Sequence, residues 1–185
     1  MRLIYSIIIF LFLVVQNLGA QIYIDEVLTD WPATALVATD EGDGISSELD
    51  FKNLWITNDA NNLYIRFELD REIILQENNF VSLLIDFDNK LSTGFKESGI
   101  GAELMVAFGE RDIFAYNASG TSQRLRHEDI GILCLPSVSS NFYELKINRI
   151  VDRGFSLMTM GNQIAVVLKN KVINGDAIPN DGSVL

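Results

Sequence analysis

Asp86, Asp88, Asn89, Ser92 and Thr93 crowd oxygen-bearing side chains into one short stretch of the chain. They stand at the end of an almost unbroken apolar run in FVSLLIDFDNKLSTGF, Phe80 to Phe95, which turns at Gly94. Carboxylate and amide oxygens gathered where a buried strand meets a turn offer a hard cation several ligands, and calcium is the natural candidate. The spacing is not that of a helix-loop-helix calcium loop. Counted from Asp86, the fifth position is Lys90 and the sixth is Leu91, where such a loop requires a turn glycine. The same aspartates also suit a plainer role, accepting backbone N–H groups in an Asx-type turn.

Other chemistry has little to work with. The chain holds one histidine, one cysteine and no glycine-rich phosphate loop, which leaves almost nothing for nucleophilic triads, thiol catalysis or nucleotide binding. A carboxylate pair for glycoside hydrolysis is formally available among Glu103, Glu144 and Asp86. Those acids are equally well explained as cation ligands or surface charge. Cys134, in ILCL, is expected to be a small buried hydrophobe.

The elements that must position these residues begin after residue 20. Arg2, the apolar stretch Leu3 to Val15 and the small-residue site Leu18-Gly19-Ala20 form a secretory signal, too short and too weakly flanked to be a membrane span. No cysteine lies at the cleavage point, so lipid anchoring is not indicated. The mature chain is expected to start at Gln21 and to be secreted, periplasmic or held at the cell surface, without membrane insertion. Removing one arginine and no acid takes the formal net charge from −11 to −12. Such an acidic surface disfavours nucleic acid and anionic membranes, and it suits divalent cations. The remaining chain is long enough for one domain burying roughly 70% of its unfolded surface.

From Gln21 onward the pattern is one of short strands and turns. Ile22 and Ile24 flank Tyr23, and Asp30-Trp31-Pro32 holds Trp31 extended, placed to cover one end of a core. Ala33 to Glu48 lacks apolar periodicity and is expected to be a loop. Asp50 to Thr57, the turn at Asn58 to Asn62, and Leu63 to Leu69 form a hairpin with Leu63, Ile65, Phe67 and Leu69 on its buried face. A second hairpin joins Ala102–Phe108 to Ile113–Tyr116. Further strands are expected at Ile130 to Leu135, Phe142 to Ile147 and Gln163 to Leu168. Asp176 to Gly182 looks turn-rich, and Ser183-Val184-Leu185 looks like a strand just beginning, so the last strand is expected to be cut short. Eight or so strands with regular turns argue for an all-β antiparallel sandwich.

The ordered motifs IDEVLTDW (24 to 31), NDANNLYIRFEL (58 to 69), IDFDNKLSTGF (85 to 95), IGAE (100 to 103) and YELKINR (143 to 149) resemble the carbohydrate-binding modules of family 9 and the wider DOMON-like sandwiches of exported bacterial proteins. The resemblance spans nearly all of Ile22 to Gly182. It implies an immunoglobulin-like or jelly-roll sandwich, a bound calcium, and sugar held by aromatic side chains. On this resemblance Asp86, Asp88, Thr93 and Glu103 are the metal positions. Trp55 is the first stacking candidate, with Tyr116 or Phe95 opposing it, and Phe142 is an outsider. Trp31 matches a packing tryptophan. The implied function is non-catalytic binding of an oligo- or polysaccharide, and the module would suit the N-terminal part of a longer hydrolase. Some DOMON relatives resemble cytochromes, which would require His127 with Met105, Met158 or Met160 as axial ligands. His127 lies among Arg124, Arg126 and Glu128, and a solvated surface histidine is expected there. The competing reading is an extracellular protein-interaction domain without sugar affinity.

Overall fold

Side chains two apart on an extended chain share a face, so runs such as Leu63-Ile65-Phe67-Leu69 and Tyr143-Leu145-Ile147 must pair off against one apolar layer. The structure is a computed structural model describing residues 21–40, 42, 49–153 and 156–184. The expected signal peptide, residues 1–20, lies outside the described residues, as do residues 41 and 43–48 of the expected loop and Leu185.

The strands in chain order are β1 (Leu36–Thr39), β2 (Phe51–Asn58), β3 (Asn62–Ile73), β4 (Val81–Asp86), β5 (Phe95–Glu97), β6 (Ile100–Ala102), β7 (Leu104–Ala107) and β8 (Asp112–Tyr116). They continue as β9 (Ser122–Leu125), β10 (Leu133–Leu135), β11 (Ser140–Asn148), β12 (Ile150–Arg153), β13 (Ser156–Thr159), β14 (Ala165–Asn170) and β15 (Ala177–Val184), with a short helix, α1 (His127–Ile130), before β10. Among the described residues the two large sheets run β1-β2-β3-β11-β10 and β15-β14-β4-β7-β8-β9, and β5-β6 and β12-β13 form two-stranded ribbons. Every pairing is antiparallel. The two sheets close on a core that includes Phe51, Phe67, Leu83, Ile85, Val106, Tyr143, Leu145 and Val166, and the fold is an all-β antiparallel sandwich. Among the described residues no helix is long and apolar enough to cross a membrane.

Both expected hairpins form, β2 with β3 and β7 with β8. Other expectations need correction. Part of the stretch expected to be a loop, Ala33 to Asp40, contains a 3-10 turn at Ala33–Ala35 and strand β1, which pairs with β2. The strand expected at Ile130 to Leu135 is split, because α1 ends at Gly131 in the left-handed region and leaves only β10. The turn-rich segment from Asp176 is itself strand: Ala177 pairs with Lys169 and Val184 with Ala165, so Ser183 and Val184 complete β15 instead of beginning a new strand.

Each sheet is also covered on its outer side. On the six-stranded sheet the β5-β6 ribbon lays Ile100 and Ala102 over Leu84, Met105 and Val167. That second layer explains the unbroken apolar run in β4, which is buried on both faces. On the five-stranded sheet the segment from Ile22 to Ala35 packs Ile22, Trp31 and Ala35 over Tyr64. Trp31 therefore covers a sheet face, not an end of the core. Its anchor is Glu144 on β11, which is 0% exposed. The Glu144 carboxylate accepts from Arg66 Nη1 at 2.9 Å, Trp31 Nε1 at 3.1 Å, and the backbone N–H groups of Glu26 at 2.8 Å and Asp25 at 3.2 Å.

Candidate functional site

The end of β4 delivers the carboxylates. Asp86, 1% exposed, accepts the N–H groups of Asp88 and Lys90 on Oδ1, each at 3.2 Å, and that of Gly101 on Oδ2 at 3.1 Å. The Asx-type turn is thus present, and it also ties the turn to β6. Asp88 Oδ1 lies 3.0 Å from the Thr93 hydroxyl, and Oδ2 lies 3.2 Å from Lys90 Nζ. The turn is pressed against the β5-β6 ribbon so closely that side chains are excluded. A Cβ on Gly101 would stand 2.3 Å from the Thr93 carbonyl oxygen, and Gly94, at φ +65°, faces the Ala102 carbonyl in the same way.

Glu103 joins β6 to β7 and completes the cluster. Its backbone N–H donates to Ile85 and its carbonyl accepts from Tyr116, so it is held against β4 and β8 alike. Oε2 accepts the Phe87 N–H at 2.7 Å, while Oε1 is buried with no hydrogen-bond partner. Asp86, Asp88 and Glu103 each place a carboxylate oxygen within 4.8 Å of the other two. Burial, reinforced by the charges of Asp86 and Asp88, pushes the Glu103 carboxyl up to about 7, against the opposing pull of the Phe87 N–H and the nearby Thr93 hydroxyl.

A cavity of about 220 Å³ opens on this cluster, bounded by Asp88, Thr93, Glu103, Tyr116 and Asn117 and closed on one side by Met158 and Thr159. Tyr116 stacks on Phe95 with ring centroids 5.0 Å apart and planes 24° from parallel. Six of the seven expected site residues, Asp86, Asp88, Thr93, Glu103, Phe95 and Tyr116, therefore meet at one corner of the six-stranded sheet. Trp55 does not join them. It lies on the outer face of the other sheet, beside the N-terminal segment, so neither Tyr116 nor Phe95 opposes it. Its neighbour is the Arg66 guanidinium, 5.4 Å from the Trp55 ring and 4.9 Å from that of Phe142.

No protein-family model matches the chain, and no curated protein does. Among solved structures the chain is similar to a family 9 carbohydrate-binding module from Caldicellulosiruptor kristjanssonii in complex with cellotriose. The match has 9% identity and a TM-score of 0.32, over 77% of this chain and 67% of that one. A superposition this loose assigns neither family nor site.

The residues named for other chemistries lie apart, except that Asp86 and Glu103 share the cluster. Glu144 lies on a different sheet from Asp86 and Glu103 and is enclosed by its four donors, while Asp86 is locked by three backbone N–H groups. His127 is exposed on α1, Met105 packs on the outer face of the six-stranded sheet, and Met158 and Met160 belong to the main core. Cys134 is a free thiol packed against that core, pushed up to about 12 by burial. Sequence reasoning missed Gly101 and Asn117. Only the IGAE glycine carried a visible signal, since a glycine inside a short strand marks a close backbone approach.

Proposed function

We propose that this domain binds carbohydrate without catalysis, in the Tyr116 cavity, beside a calcium ion held by Asp86, Asp88 and Glu103. The observation that carries the reading is the junction of an aromatic wall with an oxygen-rich floor in one cavity. A pyranose presents a patch of C–H groups to a π face while its hydroxyls take polar partners at the rim. Tyr116, backed by Phe95, offers the face, and Asn117, Thr93 and Asp88 offer the partners.

The donor set fits calcium on physical grounds. Two oxygens bound to one calcium at roughly 2.4 Å lie at most about 4.8 Å apart, the limit within which the three carboxylates already sit. A buried carboxylate oxygen without a donor is costly unless a proton or a cation compensates it, and Glu103 Oε1, with the Asp86 and Asp88 carboxylates beside it, is such an atom. Asp86 has spent three of its roughly four acceptor positions on N–H groups, so it supplies about one bond. When bound, the ion offsets two of the three carboxylate charges and stiffens the turn through Gly94. Export through the segment 1–20 is part of the same proposal.

The test is a glycan-array screen of residues 21–185 in calcium, in chelator, and with Tyr116→Ala and Trp55→Ala. Binding to a defined sugar that is lost with Tyr116→Ala and kept with Trp55→Ala supports this cavity. Loss with Trp55→Ala alone moves the site to the Trp55–Arg66–Phe142 surface. Silence across the array from folded protein favours a protein-interaction domain. Calcium at a hundred times its dissociation constant should stabilise the fold by about 2.7 kcal/mol, and an unchanged melting temperature rejects the cation.

A further inference from the structure

Away from that corner a cavity of about 330 Å³ opens between the two sheets, where edge strand β10 faces the β7-β8 hairpin. It shares no residue with the Tyr116 cavity. Its walls are mostly apolar: Val106 in β7 and Phe108 just after it, both buried, face Ile132 and Cys134 from the segment leading out of α1, with Ser137 beside them. Its mouth is polar and carries donors. Arg111 Nε donates to the Gln76 carbonyl at 3.0 Å and Nη2 to Glu77 Oε1 at 3.1 Å, which fixes the guanidinium beside the opening, and His127 borders the same space.

We propose that this cavity is a second binding site, taking a small molecule with an apolar ring body and one acidic group. A dry cavity of roughly 150 Å³ lined by apolar side chains accommodates benzene, so a space about twice that size takes a two-ring body. Val106, Phe108, Ile132 and Cys134 offer sugar hydroxyls almost no partners, so polar contacts are confined to Gln76, Arg111, His127 and Ser137, and burying hydroxyls unpaired against the apolar walls is unfavourable. The acidic group belongs at the mouth. A guanidinium has five N–H donors, and the contacts to Gln76 and Glu77 use two of them. The Cys134 thiol stays protonated in the wall and behaves as part of the apolar lining.

Two probes separate the parts of this proposal: anilinonaphthalene sulfonate, and phenylnaphthylamine, which has the same ring body without the sulfonate. Both should bind the folded protein saturably at one site. Arg111 is 60% exposed, so Arg111→Met should fold; it is expected to weaken the sulfonate probe about tenfold, the scale of one charge-assisted hydrogen bond, and to leave the neutral probe unchanged. Ile132→Trp, which fills the space, should abolish both signals. In the parent protein, nuclear Overhauser contacts from the probe rings should fall on the Val106 and Ile132 methyl groups, a readout independent of whether Ile132→Trp folds. Absence of saturable binding by either probe, or ring contacts elsewhere on the protein, overturns the site. Equal weakening of both probes by Arg111→Met overturns the acidic-ligand assignment.

Discussion

Glu144→Gln keeps the shape of the side chain that fastens the N-terminal segment and removes its charge. The carboxylate receives four donors in a site with no solvent exposure, and one of them is a guanidinium that is itself buried. An amide turns one of the two acceptor atoms into a donor, so some of those four donors then face an N–H group. Removing one partner of a buried ion pair costs roughly 3–5 kcal/mol because the remaining charge is left uncompensated. Arg66 has partial relief from Glu68 at 3.7 Å, which places the expected loss at the lower end, about 3 kcal/mol. At roughly 2–4 °C per kcal/mol for a chain of this size, the melting temperature should fall by roughly 6–12 °C. Calorimetry of the chain without its first 20 residues measures the fall. Tryptophan emission should shift to the red as Trp31, 7% exposed in the parent, gains water. The paired change Arg66→Met with Glu144→Gln should recover part of the loss, since both charges leave together while the amide oxygen stays an acceptor for the Trp31 and backbone N–H groups. A fall below about 2 °C with unchanged emission would refute the view that this carboxylate anchors the segment.

Three further outcomes are expected. In chelator, Glu103 holds a proton near pH 7 that it releases near 4.5 in the unfolded chain. The stabilisation tied to that proton is complete below the unfolded value and is lost as pH rises through about 7, so the melting temperature should fall between pH 5 and 8. Calcium should flatten that slope, and a chelated protein with a level profile would remove Glu103 from the cluster. Gly101→Ala forces a Cβ into the Thr93 and Lys90 carbonyls at 2.3 and 2.4 Å and should lower stability by about 1–3 kcal/mol, read as the urea midpoint. Cys134 should resist iodoacetamide at pH 8 in the native state and react once urea unfolds the protein, because its thiol is pushed up to about 12 and the thiolate is the reacting form.

Strands whose two faces differ were legible in the sequence, because their chemistry is written with period two. β3 and β11 show it plainly: Leu63, Ile65, Phe67, Tyr143, Leu145 and Ile147 all reach the core. Where a local signal competes with pairing, the reading failed. Asp176-Ala177-Ile178-Pro179-Asn180-Asp181-Gly182 carries the composition of a turn, yet much of it becomes β15 because β14 offers it a ladder. The second layers were invisible for a related reason. Arg66 and Glu144 read as the polar side of alternating strands, and only the return of Trp31, Asp25 and Glu26 across that face turns the pair into a buried anchor.

The candidate site was legible to the extent that it is local. Asp86, Asp88 and Thr93 lie on one turn, so their grouping follows from spacing alone. Glu103 enters through the pairing of β4 with β7, and Tyr116 through the pairing of β7 with β8, two steps that no single motif records. Trp55 was the more conspicuous aromatic, since tryptophan gives the larger stacking surface, but the sheet it occupies separates it from the acids. Conspicuousness reflects residue type, whereas a site depends on which strand edges meet. The proposed sugar platform is therefore the ring that the ladder places beside Glu103, with the larger Trp55 ring as its rival. Comparing Tyr116→Ala with Trp55→Ala is consequently a test of that ladder-based reasoning as well as of carbohydrate binding.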